Sequence, residues 1–478
     1  MRIVVFGLGK FFDNHKKDLY SNDSVVAFID NVRYKESELY GCPIYSPDRI
    51  LSLDFDFVVI MSLNFADEMK NQLITIGLPE WKIVSFELYK TRGFLKQYFS
   101  VPKNINSKKK ALIIIDELSY QGGSVAVCYA ARALQNLGLY VEVLCCYPNL
   151  DFIREQLKFG FAVNVYDNLM NASLEELWWL KKFDVVLVNT LQMSLFAKRI
   201  SQIIKTFLWI HEPRDYYAFH AYVVNKMQSI GFDGVNVLTV SSVADESFKT
   251  YFPNVNTKIM FYGIEDVLTE NNDKTLARNV FASDKEIDDP FAALEIPDDK
   301  VVVATVANVC KRKAQDLFSQ AVALLTKEEQ RQCCFLIIGK HYEREVDEVI
   351  DSCIQKCPSL YSIGQLSRHQ LLSHLNEIDI FVCPSREDPL PICMTEGMAA
   401  GKICIASNRT GTSKLITPYE NGLICEPDAQ SICDQIRWCL ENKDKWGKIK
   451  DASRKIYDDE FSLDAFGKRL YDNILGNG

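Results

Sequence analysis

Short apolar runs alternate with helical patterns along most of the chain. Runs rich in Val, Ile and Phe, such as Val301 to Ala307 and Ile378 to Val382, end at polar residues and predict buried strands. Amphipathic stretches lie between these runs, so strand and helix alternate. Such alternation is typical of parallel sheets with helices on both faces. The pattern therefore predicts an α/β fold.

The alternation falls into three regions. We expect an accessory Rossmann-like domain over residues 1–100, a second α/β domain over 101–265 and a third over 300–478, which ends in a helix from Asp458 to Ile474. Residues 266–299 are polar and acidic without periodicity, which predicts a linker or insertion. Ligands of such sheets bind outside the carboxyl ends of the strands, so two facing domains would place a cleft between them.

The first domain opens like a dinucleotide-binding fold. The run from Val4 to Gly9 is a predicted strand followed by two glycines, and Asp30 ends the next strand. Phe12 stands where the third glycine of the fingerprint belongs. We therefore expect no NAD cofactor in residues 1–100 and predict a structural, regulatory or nucleotide-sensing role for this domain.

Composition narrows the classes of protein. The 478 residues are 48% hydrophobic and carry a net charge of −9, which argues against a nucleic-acid-binding surface. We see no apolar run long enough to cross a bilayer, and the N-terminus predicts a strand instead of a signal peptide. The fifteen cysteines show no paired zinc spacing, so we expect reduced thiols, no metal and a cytoplasmic protein. No feature indicates the oligomeric state.

A basic connector joins the first two domains. Residues 90–110 contain seven Lys or Arg, no acid and interleaved aromatic residues. Such a segment can lie on an anionic membrane, which would bring the protein to the inner membrane face. The alternative is a solvated linker with a few packed aromatic side chains.

The most informative stretch is Cys383 to Gly401. Prolines break the chain after a predicted strand, so Glu387 and Asp388 lie in a loop at its carboxyl end. Beyond Pro391 the pattern turns helical and places Glu396 about one turn inside a helix. The N-terminus of a helix binds anions, while carboxylates accept hydrogen bonds from hydroxyls. Phosphate beside a polyol is the chemistry of a nucleotide-sugar.

This arrangement resembles the E-x7-E signature of retaining, GT-B-fold glycosyltransferases of family 4, also called group 1. Asp388 and Glu396 keep the spacing of eight residues, with Asp replacing the usual first Glu; Glu387 is the alternative for that role. The resemblance covers about residues 111–475. It implies two facing Rossmann-like domains, to which residues 1–100 add a third.

The resemblance also implies a donor-phosphate site. Lys313 matches the family's phosphate-binding lysine, with Ala314 in place of the glycine that follows it. The position of the family's arginine falls on Ala307, so Arg312 or Lys311 is the candidate second cation. The start of the downstream helix completes the predicted site with the residues Leu390, Pro391 and Ile392.

The second domain supplies further candidates. Gly122 and Gly123 resemble a family loop that contacts the donor; the alternative is a tight structural turn. His211, at the end of a predicted strand, resembles the family's histidine that hydrogen-bonds the donor sugar; the alternative is a structural histidine. Glu212 and Arg214 are candidates for acceptor contacts.

The function implied is retaining, metal-independent transfer of a sugar from a UDP-sugar, or a GDP-sugar, to a glycan or lipid-linked acceptor. Lys313 and Arg312 would neutralise the diphosphate. Glu396 would bind the ribose, and Asp388 or Glu387 would bind the sugar. Two alternatives remain: a non-catalytic nucleotide-sugar- or glycan-binding protein, and another GT-B enzyme such as a nucleotide-sugar epimerase.

Overall fold

The computed structural model describes residues 1–20, 23–90, 96–98, 102–268 and 289–476. Most of the predicted linker 266–299 therefore lies outside the described residues. The same holds for residues 91–95 and 99–101 of the basic connector, so its predicted membrane contact stays a prediction.

Strands and helices alternate through the described residues. The strands are β1 Arg2–Phe6, β2 Ser24–Ile29, β3 Glu38–Leu39, β4 Cys42–Tyr45, β5 Phe57–Ile60, β6 Ile83–Ser85, β7 Lys96–Tyr98, β8 Lys110–Leu118, β9 Tyr140–Pro148, β10 Ala162–Val165, β11 Val185–Asn189, β12 Thr206–Ile210, β13 Val235–Thr239, β14 Thr257–Ile259, β15 Val301–Val306, β16 Cys333–Ile338, β17 Leu360–Gly364, β18 Ile380–Cys383, β19 Ile403–Ser407 and β20 Leu423–Cys425. The α-helices are α1 Lys10–His15, α2 Ala66–Ile76, α3 Phe86–Lys90, α4 Gly122–Asn136, α5 Leu150–Leu157, α6 Ser194–Ile200, α7 Arg214–Phe219, α8 Ala221–Ile230, α9 Ser242–Tyr251, α10 Gln315–Leu324, α11 Lys327–Arg331, α12 Arg344–Ile354, α13 Arg368–His374, α14 Ile392–Ala399, α15 Ala429–Glu441, α16 Trp446–Ile456 and α17 Leu463–Ile474.

The chain forms two compact units. The first contains Met1–Leu118, Leu139–Leu187 and Phe196–Thr206; the second contains Ser119–Gly138, Val188–Leu195 and Phe207–Gly478. Within the described residues, no helix has both the length and the apolar character needed to cross a membrane.

The N-terminal region of the first unit has a sheet of its own, in the order β3-β4-β2-β1-β5-β6. All neighbours pair in parallel except β3, which runs antiparallel to β4. This confirms the predicted extra α/β domain. Sequence reasoning missed β3 and β4, because β3 has two residues and β4 contains Pro43, a residue that argues against a strand.

Specific contacts join this sheet to the rest of the first unit. Lys110 Nζ pairs with the buried Asp56 carboxylate. The Trp178 ring meets Phe57 at 4.7 Å, and its Nε1 donates to Leu88 O at 3.0 Å. The N-terminal sheet is therefore packed within the first unit and is not merely tethered to it.

The second unit contains, from residue 301 onward, a fully parallel sheet in the order β17-β16-β15-β18-β19-β20. Its core consists of buried aliphatic side chains such as Val303, Ile380 and Ile405. Because β15 and β18 are parallel neighbours, the loops that follow them leave the sheet at the same edge. This edge carries the candidate site.

The C-terminal helix starts later than predicted. A helix from Asp458 was expected, but Tyr457–Phe461 forms a π-helical turn and α17 begins at Leu463. Ser462 caps α17 by accepting from Ala465 N. Local capping therefore sets this boundary, which the hydrophobic pattern alone does not reveal.

A buried ion pair in the first unit gives a stability test. Lys182 Nζ lies 2.5 Å from Glu142 Oε1, with side chains 5% and 1% exposed. Lys182→Ala leaves a buried carboxylate without its cation, so we predict a loss of about 3–5 kcal/mol in urea unfolding. The control Arg154→Ala removes an exposed pair with Asp151 and is expected to change stability by less than about 1 kcal/mol. Equal effects of the two substitutions would contradict the prediction.

Candidate functional site

The loops after β15 and β18 are held together by two arginines. Arg386 donates two parallel hydrogen bonds to Asp316, at 2.9 and 2.7 Å, and its backbone N donates to Arg312 O at 2.9 Å. In return, one guanidinium N–H group of Arg312 donates to Glu387 O at 3.0 Å. Bidentate pairs of this kind fix orientation as well as distance. The loops therefore form one preorganised edge.

The centre of this edge is an ion pair between Lys313 and Asp388, whose side chains are 18% and 6% exposed. Burial lowers the pKa of the Lys313 ammonium, but the Asp388 carboxylate outweighs burial and the pKa lies above its ordinary value. Lys313 is therefore a fixed positive charge at neutral pH. Asp388 is held through its backbone as well, because its N donates to Arg409 O at 3.1 Å.

Ala314 follows Lys313 in a conformation that favours glycine. Its φ of 63° and ψ of 35° are left-handed, and it directly precedes α10. For a residue with a Cβ, this conformation costs roughly 1–2 kcal/mol. The chain therefore turns immediately after the lysine. Ala314 adopts the left-handed conformation that a glycine at this position would adopt more easily.

Glu387 and Asp388 have different environments. Glu387 Oε1 accepts from Arg214 N at 2.8 Å and from Ser247 Oγ at 3.0 Å. Asp388, in contrast, lies beside Lys313. Of the two candidates for the first acid of the motif, Asp388 lies next to Lys313, the predicted phosphate-binding residue. Glu387 instead binds α7 and α9.

Helix α14 begins at this edge. Met394 N is the first amide to donate into the helix, to Pro391 O at 3.2 Å, so the amides of Ile392 and Cys393 precede the helical hydrogen bonds. Leu390 O accepts from Tyr262 Oη at 2.5 Å. Burial raises the pKa of Tyr262 well above its ordinary range, so this phenol stays protonated and holds the loop before the helix.

Gly122 and Gly123 were expected in a loop, and this is wrong: they are the first two residues of α4. Gln121 adopts the extended conformation that precedes the helix, so the turn ends at Gln121, two residues before Gly123. Gly122 nevertheless faces the site, because a Cβ at this position would lie 3.8 Å from Ile392 Cδ1. The starts of α4 and α14 therefore lie close together.

Glu396 lies inside α14, as predicted, and its buried carboxylate has a partner that the sequence did not reveal. Its carboxylate pairs with the guanidinium of Arg368; the two side chains are 4% and 39% exposed. Arg368 is the first residue of α13, which follows β17. One signal was readable: the run from Ser367 to Gln370 has the Ser-x-x-Gln pattern of a capping box, which marks a helix start after a strand.

His211 directly follows β12, as predicted. Its Nε2 is buried and has no hydrogen-bond partner among the described residues. Its ring lies 4.4 Å from Trp209 and 6.4 Å from Tyr262. Burial lowers the pKa of His211 to about 3, so the imidazole is neutral at physiological pH. A neutral ring with an unused nitrogen can bind a ligand hydroxyl.

Glu212 was a candidate for acceptor contacts, but its carboxylate is buried and braces the backbone. Its oxygens accept from Leu191 N at 3.0 Å and from His211 N at 2.9 Å. These bonds fix the direction in which the chain leaves β12. Glu212 therefore orients the histidine loop.

Comparison with known proteins identifies the region that contains most of these residues. Residues 286–456 match the family model described as glycosyl transferases group 1. This region is similar to group 1 glycosyltransferase domains, and we refer to it as the group 1 domain. Residues 1–84 match a second model, described as C2185-like, N-terminal. The group 1 domain contains Lys313, Asp388 and Glu396, whereas His211 and Gly122 precede it.

Two curated relatives of the chain are glycosyltransferases. The chain is 24% identical over 174 residues to an alpha-D-kanosaminyltransferase from Streptomyces kanamyceticus. It is 23% identical over 184 residues to an N,N'-diacetylbacillosaminyl-diphospho-undecaprenol alpha-1,3-N-acetylgalactosaminyltransferase from Campylobacter jejuni. The matches cover 36% and 38% of this chain, and 45% and 46% of the relatives. The chain thus spans about half the length of these relatives.

Solved structures extend the likeness in fold. HepE from Anabaena, in complex with UDP and glucose, aligns over 76% of this chain and 99% of its own, with a TM-score of 0.60 and 15% identity. A glycosyltransferase from Rickettsia africae aligns over 78% and 100%, with a TM-score of 0.61 and 16% identity. The fold is therefore GT-B with an additional N-terminal α/β domain, as predicted.

Gly411 gives a test of the preorganised edge. Its N donates to Asp388 O at 2.9 Å, and a Cβ would lie 1.8 Å from Pro389 O. Gly411→Ala must displace the loop that carries Asp388, so we predict a stability loss of about 1–3 kcal/mol in thermal or urea unfolding. The control is Gly447→Ala in α16, where a Cβ meets nothing within 4 Å. Unchanged stability in Gly411→Ala would contradict the geometry.

Proposed function

We propose that the chain is a retaining glycosyltransferase that moves a sugar from a nucleotide-diphosphate sugar to a glycan or lipid-linked glycan acceptor. We favour a UDP-sugar as donor, with a GDP-sugar as the alternative. The observation that carries the proposal is the Lys313–Asp388 pair, which lies in the loops just before α14 and within the region similar to group 1 domains. Glu396 lies about one turn inside the same helix. This arrangement offers a cation, helix amides and carboxylates to one ligand.

In this proposal the diphosphate lies against Lys313, Arg312 and the amides at the start of α14, between Leu390 and Cys393. These groups are fixed before the donor arrives, so they stabilise the charge that develops on the leaving diphosphate without reorganisation. We therefore expect transfer without a metal ion. Addition of EDTA should leave the rate unchanged.

The carboxylates and the histidine have separate roles in the proposal. Glu396 accepts hydrogen bonds from the ribose hydroxyls, and Asp388 from the sugar. His211 Nε2, which is buried and has no partner among the described residues, positions the sugar through a hydroxyl. The bond from the anomeric carbon to the phosphate oxygen breaks, and the acceptor oxygen bonds that carbon. The acceptor proton leaves with the diphosphate.

Two comparisons support this choice of substrates. HepE, which shares the fold, was solved with UDP and glucose. The Campylobacter jejuni relative carries a diphospho-undecaprenol acceptor in its name, which supports a lipid-linked acceptor. Retention of configuration is our proposal from the resemblance of Asp388 and Glu396 to the E-x7-E signature.

A second candidate is a nucleotide-sugar-binding protein without catalysis. It is favoured by two features: Asp388 and Glu396 already pair with cations, and Ala307 replaces the expected arginine.

A turnover assay distinguishes a glycosyltransferase from a binding protein. Release of a radiolabelled sugar from UDP-glucose or GDP-mannose, to an acceptor or to water, supports the enzyme. Tight donor binding without transfer or slow hydrolysis supports the binding protein.

Lys313→Met tests the donor site. Loss of a charge-assisted hydrogen bond worth about 1.5–3 kcal/mol predicts roughly 10- to 100-fold weaker binding of UDP or GDP in calorimetry. The matched control is Lys448→Met, because Lys448 is an exposed lysine of α16 and has no part in the proposed donor site. Equal affinity in wild type and Lys313→Met would contradict the assignment.

A further inference from the structure

In the Arg368–Glu396 pair, a buried carboxylate meets a partly exposed guanidinium. Glu396 lies inside α14 with its side chain 4% exposed, whereas the Arg368 side chain is 39% exposed. A carboxylate at this depth needs a cation to remain ionised. The cation comes from a different helix, α13, which also follows a strand of the same parallel sheet.

Arg368 is held in place at both ends of its helix. Ser367 and Gln370 form a capping box directly around it. At the other end, His374 Nε2 lies 2.9 Å from Asp289, Nδ1 lies 2.7 Å from Glu377, and the imidazole stacks on Phe291 at 4.2 Å. The guanidinium therefore approaches Glu396 from a fixed element.

Other ionisable groups around α14 serve different partners. Tyr262 faces the helix start and donates to Leu390 O. Cys383 of β18 and Cys404 of β19 are buried thiols beneath the helix. Arg454 of α16 donates to Ala399 O, at the C-terminal end of α14, and forms a bidentate ion pair with Asp266. The ion pair with Glu396 comes from Arg368.

We propose that Arg368 is a positioning residue that keeps Glu396 ionised and aimed at the ribose of the donor. This inference rests on the proposed function. With Arg368 present, Glu396 offers a charged acceptor over the whole neutral range. Without it, the buried carboxylate takes up a proton at higher pH and no longer accepts from both ribose hydroxyls.

The donor affinity of Arg368→Gln is expected to depend on pH. A buried carboxylate deprived of its cation becomes protonated as pH falls, so donor affinity in Arg368→Gln should fall with decreasing pH. The probes are UDP-glucose and GDP-mannose, because both of their phosphates are esterified and do not titrate near neutrality. Calorimetry from about pH 5.5 to about pH 8.5 spans the range in which a buried carboxyl titrates.

We expect wild-type affinity to be nearly flat across this range. Arg368→Gln should bind at least about tenfold more weakly at the acid end than at the alkaline end, because release of one linked proton weakens binding tenfold for each pH unit below the pKa of the carboxyl. Arg368→Lys keeps the charge and should restore most of the flat profile. Arg344→Gln is the matched control, since Arg344 is 91% exposed and pairs with Glu348 on a helix surface.

A double variant guards against a purely structural effect. In Arg368→Gln/Glu396→Gln the titrating carboxyl is gone, so the pH dependence should disappear even though affinity stays low. The inference is overturned if Arg368→Gln, folded by circular dichroism, follows the wild-type pH profile, or if the double variant keeps the slope. If wild type binds neither nucleotide-sugar at any pH, the proposed donor site itself is wrong.

Discussion

The candidate site depends on the ion pair between Lys313 and Asp388. Each residue lies on a loop that follows one of two neighbouring parallel strands, and the pair joins these loops where both leave the sheet. Arg386 and Arg312 add reciprocal bonds across the same gap, and Gly411 lets a third loop approach Asp388 without a Cβ in the way. Since these contacts hold the loops in one arrangement, little reorganisation is needed when an anion binds.

The charges of the candidate site are balanced by ion pairs whose members a donor can share. Asp388 is paired with Lys313, and Glu396 with Arg368. Buried ions are costly unless paired, so these pairs let two carboxylates persist in a largely buried site. A diphosphate that approaches Lys313 would compete with Asp388 for the same ammonium and release the carboxylate to accept from the sugar. On our proposal, donor binding thus exchanges one set of charge-assisted hydrogen bonds for another.

The sequence predicted the α/β fold, the GT-B likeness, the position of Glu396 about one turn inside a helix and the strand ends that carry His211 and Asp388. These features follow from hydrophobic periodicity and prolines, which act locally. It did not predict the partners of these side chains. Arg368 lies 28 residues before Glu396, and Ser247 lies 140 residues before Glu387, so only the packed chain brings them together. For the same reason the sequence could not decide between Glu387 and Asp388. The two residues are adjacent in sequence, but Glu387 contacts α7 and α9 whereas Asp388 contacts Lys313.

The most direct test of the donor site is a crystal structure of the protein with UDP, or with GDP if UDP does not bind. We predict diphosphate oxygens within hydrogen-bond distance of Lys313 Nζ and the amides at the start of α14, with the ribose hydroxyls on Glu396. A nucleotide bound elsewhere, for example on the N-terminal domain, with the Lys313–Asp388 pair untouched, would contradict the proposed function.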